Sequence, residues 1–459
     1  MPTPTTLPLI LLIVILWRLS KGQLLSVVLF TSVFDAASAI NFGAFGVPPW
    51  LFALFVGLAI TIVRGHKPFR FTPGINRLAL KLLLLFLLYA TWSGLVYPFL
   101  FHGAMVLNSH NASPAPLSWG ASNLAQLCYL AAVAVVYLLA LGSSREDLAS
   151  ALDWYVRGCI VVALFAVYQL ANAILHVPYP SSVLYSNPSH VIYPAYMING
   201  MWRLNSTFPE ASAMAAHMTV GIALLGWDVV MRPLSFVRIL WLLLMIVSLL
   251  LTMSSLGYLS LSFLVLTAPA LYAFHALKKR SLAPGKVVIV LMVLATGSCL
   301  YLTTGASSTV SKAVKSVLLD KENSESYRER ATTNEAAMET ASETYYMGAG
   351  WGSARASGLM YELISNVGSV GVILFLAFMA SLFLPMLRSD PVINNAPSTY
   401  LYEKSLLALM VMMVGLLAAG AEPVAPILWA LFATATAGKP QSLPAFATGY
   451  HGFLRPSTS

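Results

Sequence analysis

Charge is what this chain has least of. Only 9% of its 459 residues are Asp, Glu, Lys or Arg, 58% are hydrophobic, and its mean hydropathy is +0.77. Soluble domains carry roughly 25% charged residues, so a soluble globular enzyme is excluded. Cysteine is nearly missing as well. Cys128, Cys159 and Cys299 all fall within apolar runs, without the spacing of a metal site or a disulfide framework, and read as core filling. No glycine-rich phosphate loop occurs, which argues against ATP-driven work. No basic stripe with interleaved aromatics occurs, which argues against nucleic acid as a partner. Asn111-Ala112-Ser113 and Asn205-Ser206-Thr207 match a glycosylation pattern, one too short to carry an assignment.

What the chain does have is apolar runs of about 17–25 residues from end to end, each long enough to cross a ~30 Å hydrocarbon core. They lie near 23–40, 49–63, 79–97, 121–142, 155–175, 210–231, 236–253, 256–277, 286–304, 359–385, 405–419 and 424–438. Leu7–Trp17 is shorter: either a thirteenth span or an interfacial helix, without the basic start and cleavage site of a signal peptide. The expected fold is an all-α polytopic membrane protein of 12–13 helices, a single integral domain over 1–459. Two large loops interrupt it, 176–209 and 304–358.

Charge sets the orientation. Arg18, Lys21, the run Arg64–Arg70 with Arg77 and Lys81, Arg145, Arg157, Arg232, Arg238, Lys278–Arg280, Lys286, Arg388, Lys404, Lys439 and Arg455 all fall on one side. Of 26 basic residues only seven lie opposite, which leaves 19. Lys and Arg prefer cytoplasmic loops, so both large loops face outward and the +9 net charge reflects topology. The seven exceptions are Arg203, Lys312, Lys315, Lys321, Arg328, Arg330 and Arg355, and seven acids accompany them in the second loop: Asp320, Glu322, Glu325, Glu329, Glu335, Glu339 and Glu343. A solvated, charge-balanced loop accounts for the lysines. Arginine near membrane entry is different, because its planar fork grips phosphate bidentately and stays charged. Such a cluster suits a lipid-linked diphosphate.

The first loop is rich in Tyr, Pro and Asn and includes Trp202. Such rings either anchor the interface or stack on sugars. It closes with Arg203-Leu204-Asn205-Ser206-Thr207-Phe208-Pro209-Glu210-Ala211-Ser212-Ala213-Met214-Ala215. Glu210 is either a helix-start residue that suits the dipole or a carboxylate able to take a proton from a sugar hydroxyl. His217, deeper in the same span, reads as a packed helix residue.

This segment, from Arg203 through Ser-Thr-Phe-Pro-Glu-Ala-Ser-Ala-Met-Ala, resembles the one opening a central span in bacterial O-antigen and exopolysaccharide polymerases (Wzy-like), relatives of the O-antigen ligases. The resemblance extends to Thr252-Met253-Ser254-Ser255-Leu256-Gly257-Tyr258, to Ser326-Tyr327-Arg328, to Gly350-Trp351-Gly352-Ser353-Ala354-Arg355-Ala356-Ser357, and to Leu363–Gly371. It covers roughly 200–380 in detail. It implies a metal-independent, cofactor-free glycosyltransferase of GT-C type in the bacterial inner membrane. Its substrates would be polyprenyl-diphosphate-linked saccharides met at the periplasmic face, and its partners membrane lipid, a chain-length regulator and a flippase. Ligases of this superfamily use a His in the large loop, yet this chain has none between Tyr301 and Glu403. That favours a polymerase over a ligase-type transferase.

Expelling a diphosphate calls for cations positioned at the developing charge. Arg203, Arg328 and Arg355 are the candidates, with Glu210 as base. Ser326 and Glu329 have capping-box spacing, placing Arg328 on a helix; its alternative role is an ion pair with Glu325 or Glu335. Arg355 alternatively snorkels toward headgroups. Tyr345, Tyr346, Trp351, Trp202 and Ser353 are candidate saccharide contacts. Gly348, Gly350 and Gly352 either let a ligand approach or make a turn. A lipid-linked oligosaccharide flippase is the competing class, but it calls for ionisable groups near mid-membrane, where these spans look nearly free of charge. Glu422 leans the other way and reads as a loop acid.

Overall fold

A computed structural model describes residues 2–20, 22–65, 75–107, 113–198, 201–279, 325–387, 397–418 and 423–437. The span near 286–304, Cys299, Lys312, Lys315, Asp320, Lys321, Glu322 and Glu422 lie outside the described residues. The chain is an all-α, multi-pass membrane protein. Among the described residues seven helices are long and apolar enough to cross a bilayer, and four shorter apolar helices accompany them. The long ones are α4 (Arg77–Leu100), α5 (Ala121–Gly142), α6 (Arg145–Leu175), α8 (Ala211–Met231), α10 (Ser255–Lys279), α12 (Leu359–Leu387) and α13 (Pro397–Ala418). The shorter ones are α1 (Thr6–Leu19), α3 (Pro49–Val63), α9 (Phe236–Leu250) and α14 (Pro426–Ala437). Two brief helices, α2 (Leu24–Thr31) and α7 (Ser181–Leu184), and one polar helix, α11 (Glu325–Glu343), complete the set.

Small residues decide which helices go inside. In a bilayer, association depends on close packing more than on hydrophobicity. Accordingly α8, with Ala211, Ala213, Ala215, Gly221 and Ala223 along its length, is the most buried span among the described residues and packs against α6, α9, α10 and α13. A Cβ at Gly221 would lie 2.7 Å from Cys159 Sγ. The buried Cys159 is therefore core filling, whereas Cys128 is exposed on α5. His217 packs as read: its Nδ1 lies 3.1 Å from the Tyr155 hydroxyl, and its ring sits 4.9 Å from that of Phe208.

Three antiparallel hairpins gather at one end of the bundle: β1–β2 (Ile40–Phe42, Phe45–Val47), β3–β4 (Met105–Val106, Ala115–Pro116) and β5–β6 (Tyr196–Ile198, Met201–Arg203). Hydrogen bonds between loops tie this face together. Asn187 N donates to Ala36 O at 3.1 Å, Gly46 N to Ser189 Oγ at 2.8 Å, and Arg355 N to Leu107 O at 2.7 Å. Arg18, Arg64, Arg77, Arg145 and Arg232 lie at the helix ends opposite, so the charge asymmetry of the sequence maps onto two faces.

Two expected spans change. The run 23–40 is helical only over Leu24–Thr31, because the chain then turns to let Ala36 N reach Thr207 O at 3.1 Å. Leu7–Trp17 does form a helix. Thr6 Oγ1 donates to Ala39 O at 2.5 Å at the hairpin face, and Arg18 ends the helix toward the basic face. Its 14 residues cover about 21 Å, short of a full ~30 Å crossing.

Candidate functional site

The hairpin face is organised around a loop that dives into the protein. Leu204 to Pro209 are all buried, and most of their backbone groups find partners inside the protein, as buried irregular backbone requires. Gln169 Oε1 accepts from Asn205 N at 3.2 Å and Ser206 N at 2.9 Å; Gln169 Nε2 donates to Asn205 Oδ1 at 2.8 Å and to the Tyr185 hydroxyl at 2.9 Å. Ser206 holds a left-handed backbone (φ 52°) while its hydroxyl donates to Val162 O at 2.7 Å. Leu204 N donates to Leu251 O at 3.0 Å, which brings the Thr252–Tyr258 turn against this loop. Burial raises the Tyr185 hydroxyl pKa above its usual value, against hydrogen bonds that lower it. The ring is half-buried, and its hydroxyl supports the loop by donating to Ser206 O at 2.8 Å.

The buried loop brings its two ends out together. Arg203 terminates β6, and Glu210 is the residue before α8. Glu210 has an extended backbone, and its side chain makes no cap bond to the helix; its Oε1 accepts instead from the Ser212 hydroxyl. The helix-start role therefore does not occupy the carboxylate. Arg203 Nη1 donates to the Tyr196 hydroxyl at 2.8 Å, its guanidinium lies 5.6 Å from that ring's centre, and its Nε is buried without a hydrogen-bond partner.

The polar helix α11 supplies the other half. Its docked face carries Thr333, Ala337, Thr340 and Ala341, all buried, with buried Thr344 just past its end. Arg330 continues that face, half-buried and within electrostatic reach of Glu210, Arg203 and Glu329. Burial lowers its guanidinium pKa; Arg203 pushes the same way, and Glu210 and Glu329 oppose it. Arg355 Nη2 sits 3.9 Å from Glu329 Oε1. Arg203 and Arg330 thus stand with Glu210 and Glu329 in one charged cluster, which exposed Arg355 meets only through Glu329.

Arg328 is not brought into this cluster. It lies two residues before Arg330, about 200° around the helix, and is exposed. The helix begins at Glu325, so Ser326 lies inside it and does not cap it. Arg328 stands in the Ser326-Tyr327-Arg328 motif, whereas the signal for Arg330 is the period of small residues on the docked face.

The glycine turn before α12 is used for packing within the protein. Gly368 breaks α12 with a left-handed φ of 61°, which frees the Ser365 and Asn366 carbonyls to accept Ala349 N and Gly350 N at 2.8 Å each. A Cβ at Gly368 would lie 2.4 Å from the Met347 carbonyl, and one at Gly350 2.7 Å from Ser93 O. Asn366 fastens the turn, its Oδ1 accepting Ser353 N at 2.9 Å and its Nδ2 donating to Ala354 O at 2.8 Å. Two candidate saccharide contacts are buried in this packing. Trp351 is 4% exposed and meets Phe86 edge-on, and the Ser353 hydroxyl accepts Asn123 Nδ2 at 2.8 Å inside the protein. Tyr345 and Tyr346 are exposed, at 81% and 49%, both in left-handed backbone. They follow the far end of α11, about 20 Å along the axis from Arg330. Trp202 is half-buried beside Arg203, facing Met197 across the hairpin.

A second charged group lies toward the basic face, where the spans had looked nearly uncharged. Lys404 Nζ bonds Asp228 Oδ2 at 2.9 Å and Asp153 Oδ1 at 3.1 Å, with its side chain 1% exposed. Each residue is on a different helix, so no local pattern announces the network. Among the described residues no cluster of potential metal ligands occurs. No protein-family model matches the chain, and no curated protein matches its sequence.

Proposed function

We propose that the protein is a polysaccharide polymerase of the bacterial inner membrane: a GT-C-type glycosyltransferase that moves a polyprenyl-diphosphate-linked glycan onto a lipid-linked repeat unit at the periplasmic face. The observation that carries this reading is the charged cluster at the hairpin face, where Arg330 lies within electrostatic reach of Arg203 and Glu210 and Arg355 sits 3.9 Å from Glu329. Breaking a sugar–diphosphate bond leaves negative charge on the leaving oxygen, and pre-set guanidinium groups lower the barrier by meeting that charge as it forms. Glu210, held by the Ser212 hydroxyl and not by a helix cap, takes the proton of the attacking sugar hydroxyl. The resemblance of the Arg203–Ala215 segment to O-antigen polymerases supports the substrate class.

The test is a purified protein given a synthetic lipid-diphosphate repeat unit without nucleotide. The reading expects ladders of repeats, lost in Arg203→Ala and Arg330→Ala and retained in Arg328→Ala. A second reading, a flippase for lipid-linked oligosaccharides, is favoured by the network in which buried Lys404 and Asp228 meet half-buried Asp153, since ionisable groups inside a membrane commonly mark a transport path. Proteoliposomes separate the two. A flippase moves the labelled lipid across the bilayer without lengthening its glycan.

A further inference from the structure

A cavity of about 710 Å³ opens between α1 and α3, away from the charged cluster. Its walls are apolar, formed by Ile10, Trp17, Phe52 and Ile60 among others, and its polar contribution comes from Arg18 and Arg64. Among the described residues that line it there is no carboxylate. The volume is within the ~300–1,000 Å³ typical of small-molecule sites.

Its geometry follows from how the two helices are tied. The N-terminus of α1 is fixed to the hairpin face through Thr5 Oγ1, which donates to Val183 O at 2.6 Å, and Thr6 Oγ1, which donates to Ala39 O at 2.5 Å. Arg18 occupies the last turn of α1, and Arg64 is the residue that closes α3. Both guanidinium groups therefore sit at the basic-face end of the groove. Nearby, Gln23 Nε2 donates to Asp147 Oδ1 at 2.5 Å in the first turn of α6, which fixes the level of this end against the bundle. From Ile10 to Arg18 the groove descends about 12 Å, close to the ~15 Å thickness of one leaflet of hydrocarbon. The exposed flanks, Val14 at 49% and Phe55 at 57%, face where lipid would be.

We infer that this groove is a binding site for an anionic glycerophospholipid of the basic-face leaflet, its acyl chain lying against Ile10, Phe52 and Ile60 and its phosphate held by Arg18 and Arg64. An apolar slot one leaflet deep matches a hydrocarbon chain. Two guanidinium groups at the headgroup level match a phosphodiester carrying net negative charge. A zwitterionic headgroup satisfies this pair less well, because its own ammonium is repelled.

Trp17 reports occupancy directly, since it lines the groove. The protein is reconstituted in bilayers containing either dibrominated phosphatidylglycerol in phosphatidylcholine or the reverse. The Trp17 contribution to quenching is taken as the difference from Trp17→Phe. The expected result is half-maximal quenching at a mole fraction roughly tenfold lower for the anionic lipid. That preference falls to near unity in Arg18→Gln/Arg64→Gln, and also in Ile60→Phe, which fills the slot while leaving both arginines. Equal quenching by the two lipids in the unmodified protein overturns the proposal, leaving ordinary boundary lipid. So does a preference that survives loss of both arginines. Displacement of the brominated lipid by a trace mole fraction of polyprenyl phosphate overturns the assignment to a bilayer phospholipid. None of these outcomes depends on transferase activity.

Discussion

Replacing Lys404 with Met leaves two carboxylates facing each other in a space built for three charges. At about 3 Å and an effective dielectric near 20, each contact is worth on the order of 5 kcal/mol before desolvation is charged against it. Removing one partner of a buried pair costs about 3–5 kcal/mol net, because the remaining charge is left without compensation. Asp228 keeps two other partners: Oδ1 accepts from the Tyr400 hydroxyl and lies 3.7 Å from Arg232 Nε. Asp153 is 38% exposed and can rehydrate. These push the cost to the lower end, about 3 kcal/mol, which is roughly a 150-fold change in the folded-to-unfolded ratio. Unfolding titration in mixed micelles reads that change. The diagnostic is the pair Lys404→Met/Asp228→Asn, which removes a charge from each side. It should be less destabilised than the sum of the single variants by about 2 kcal/mol. A Lys404→Met protein within 0.5 kcal/mol of the unmodified one, or a double variant that is simply additive, refutes the claim that this network ties α6, α8 and α13 together.

Other outcomes follow from the hairpin face. Glu210→Gln should lower turnover by about 10²–10⁴ without loss of folded protein, the range of general base catalysis, and steady-state ladder assays measure it; an unchanged rate removes Glu210 from the mechanism. Gly368→Ala should prevent the glycine turn from docking, since its Cβ would lie 2.4 Å from the Met347 carbonyl, and should show as a lower yield of monodisperse protein on size exclusion. Normal yield would mean the α12 break tolerates a side chain. Tyr345→Ala and Tyr346→Ala should raise KM for long glycans while leaving kcat for a single repeat nearly constant, because these rings stand about 20 Å from Arg330; an equal loss in kcat would place them at the bond that breaks.

The sequence carried more of the fold than of the site, for physical reasons. Apolar length and the one-sided placement of Lys and Arg act residue by residue, so they survive without coordinates, and the spans and the two faces emerge from them. The 23–40 run misled because hydrophobicity does not distinguish a straight helix from one that stops at Thr31 to let Ala36 bond Thr207. That Arg203 and Glu210 flank one loop was legible because the buried Leu204–Pro209 stretch between them is one continuous motif. Arg330 was not, because which of two neighbouring arginines faces inward depends on the rotation of α11 against α12. Trp351 and Ser353 lay in a motif that looked like a ligand loop, yet glycine spacing serves close backbone packing equally well, and Gly368 and Asn366 receive it. Lys404 read as a loop cation because its acids come from two helices far away in sequence.

The most direct measurement of the central claim compares Arg330→Ala with Arg328→Ala in the purified protein, supplied only with a lipid-diphosphate repeat unit. Formation of ladders by Arg328→Ala at near the unmodified rate, with at least a hundredfold loss in Arg330→Ala, is the predicted result, in line with removal of one donor to a developing anion at about 10²–10³ in rate. Equal ladders from both variants, with both proteins folded, would contradict the assignment of diphosphate departure to this cluster.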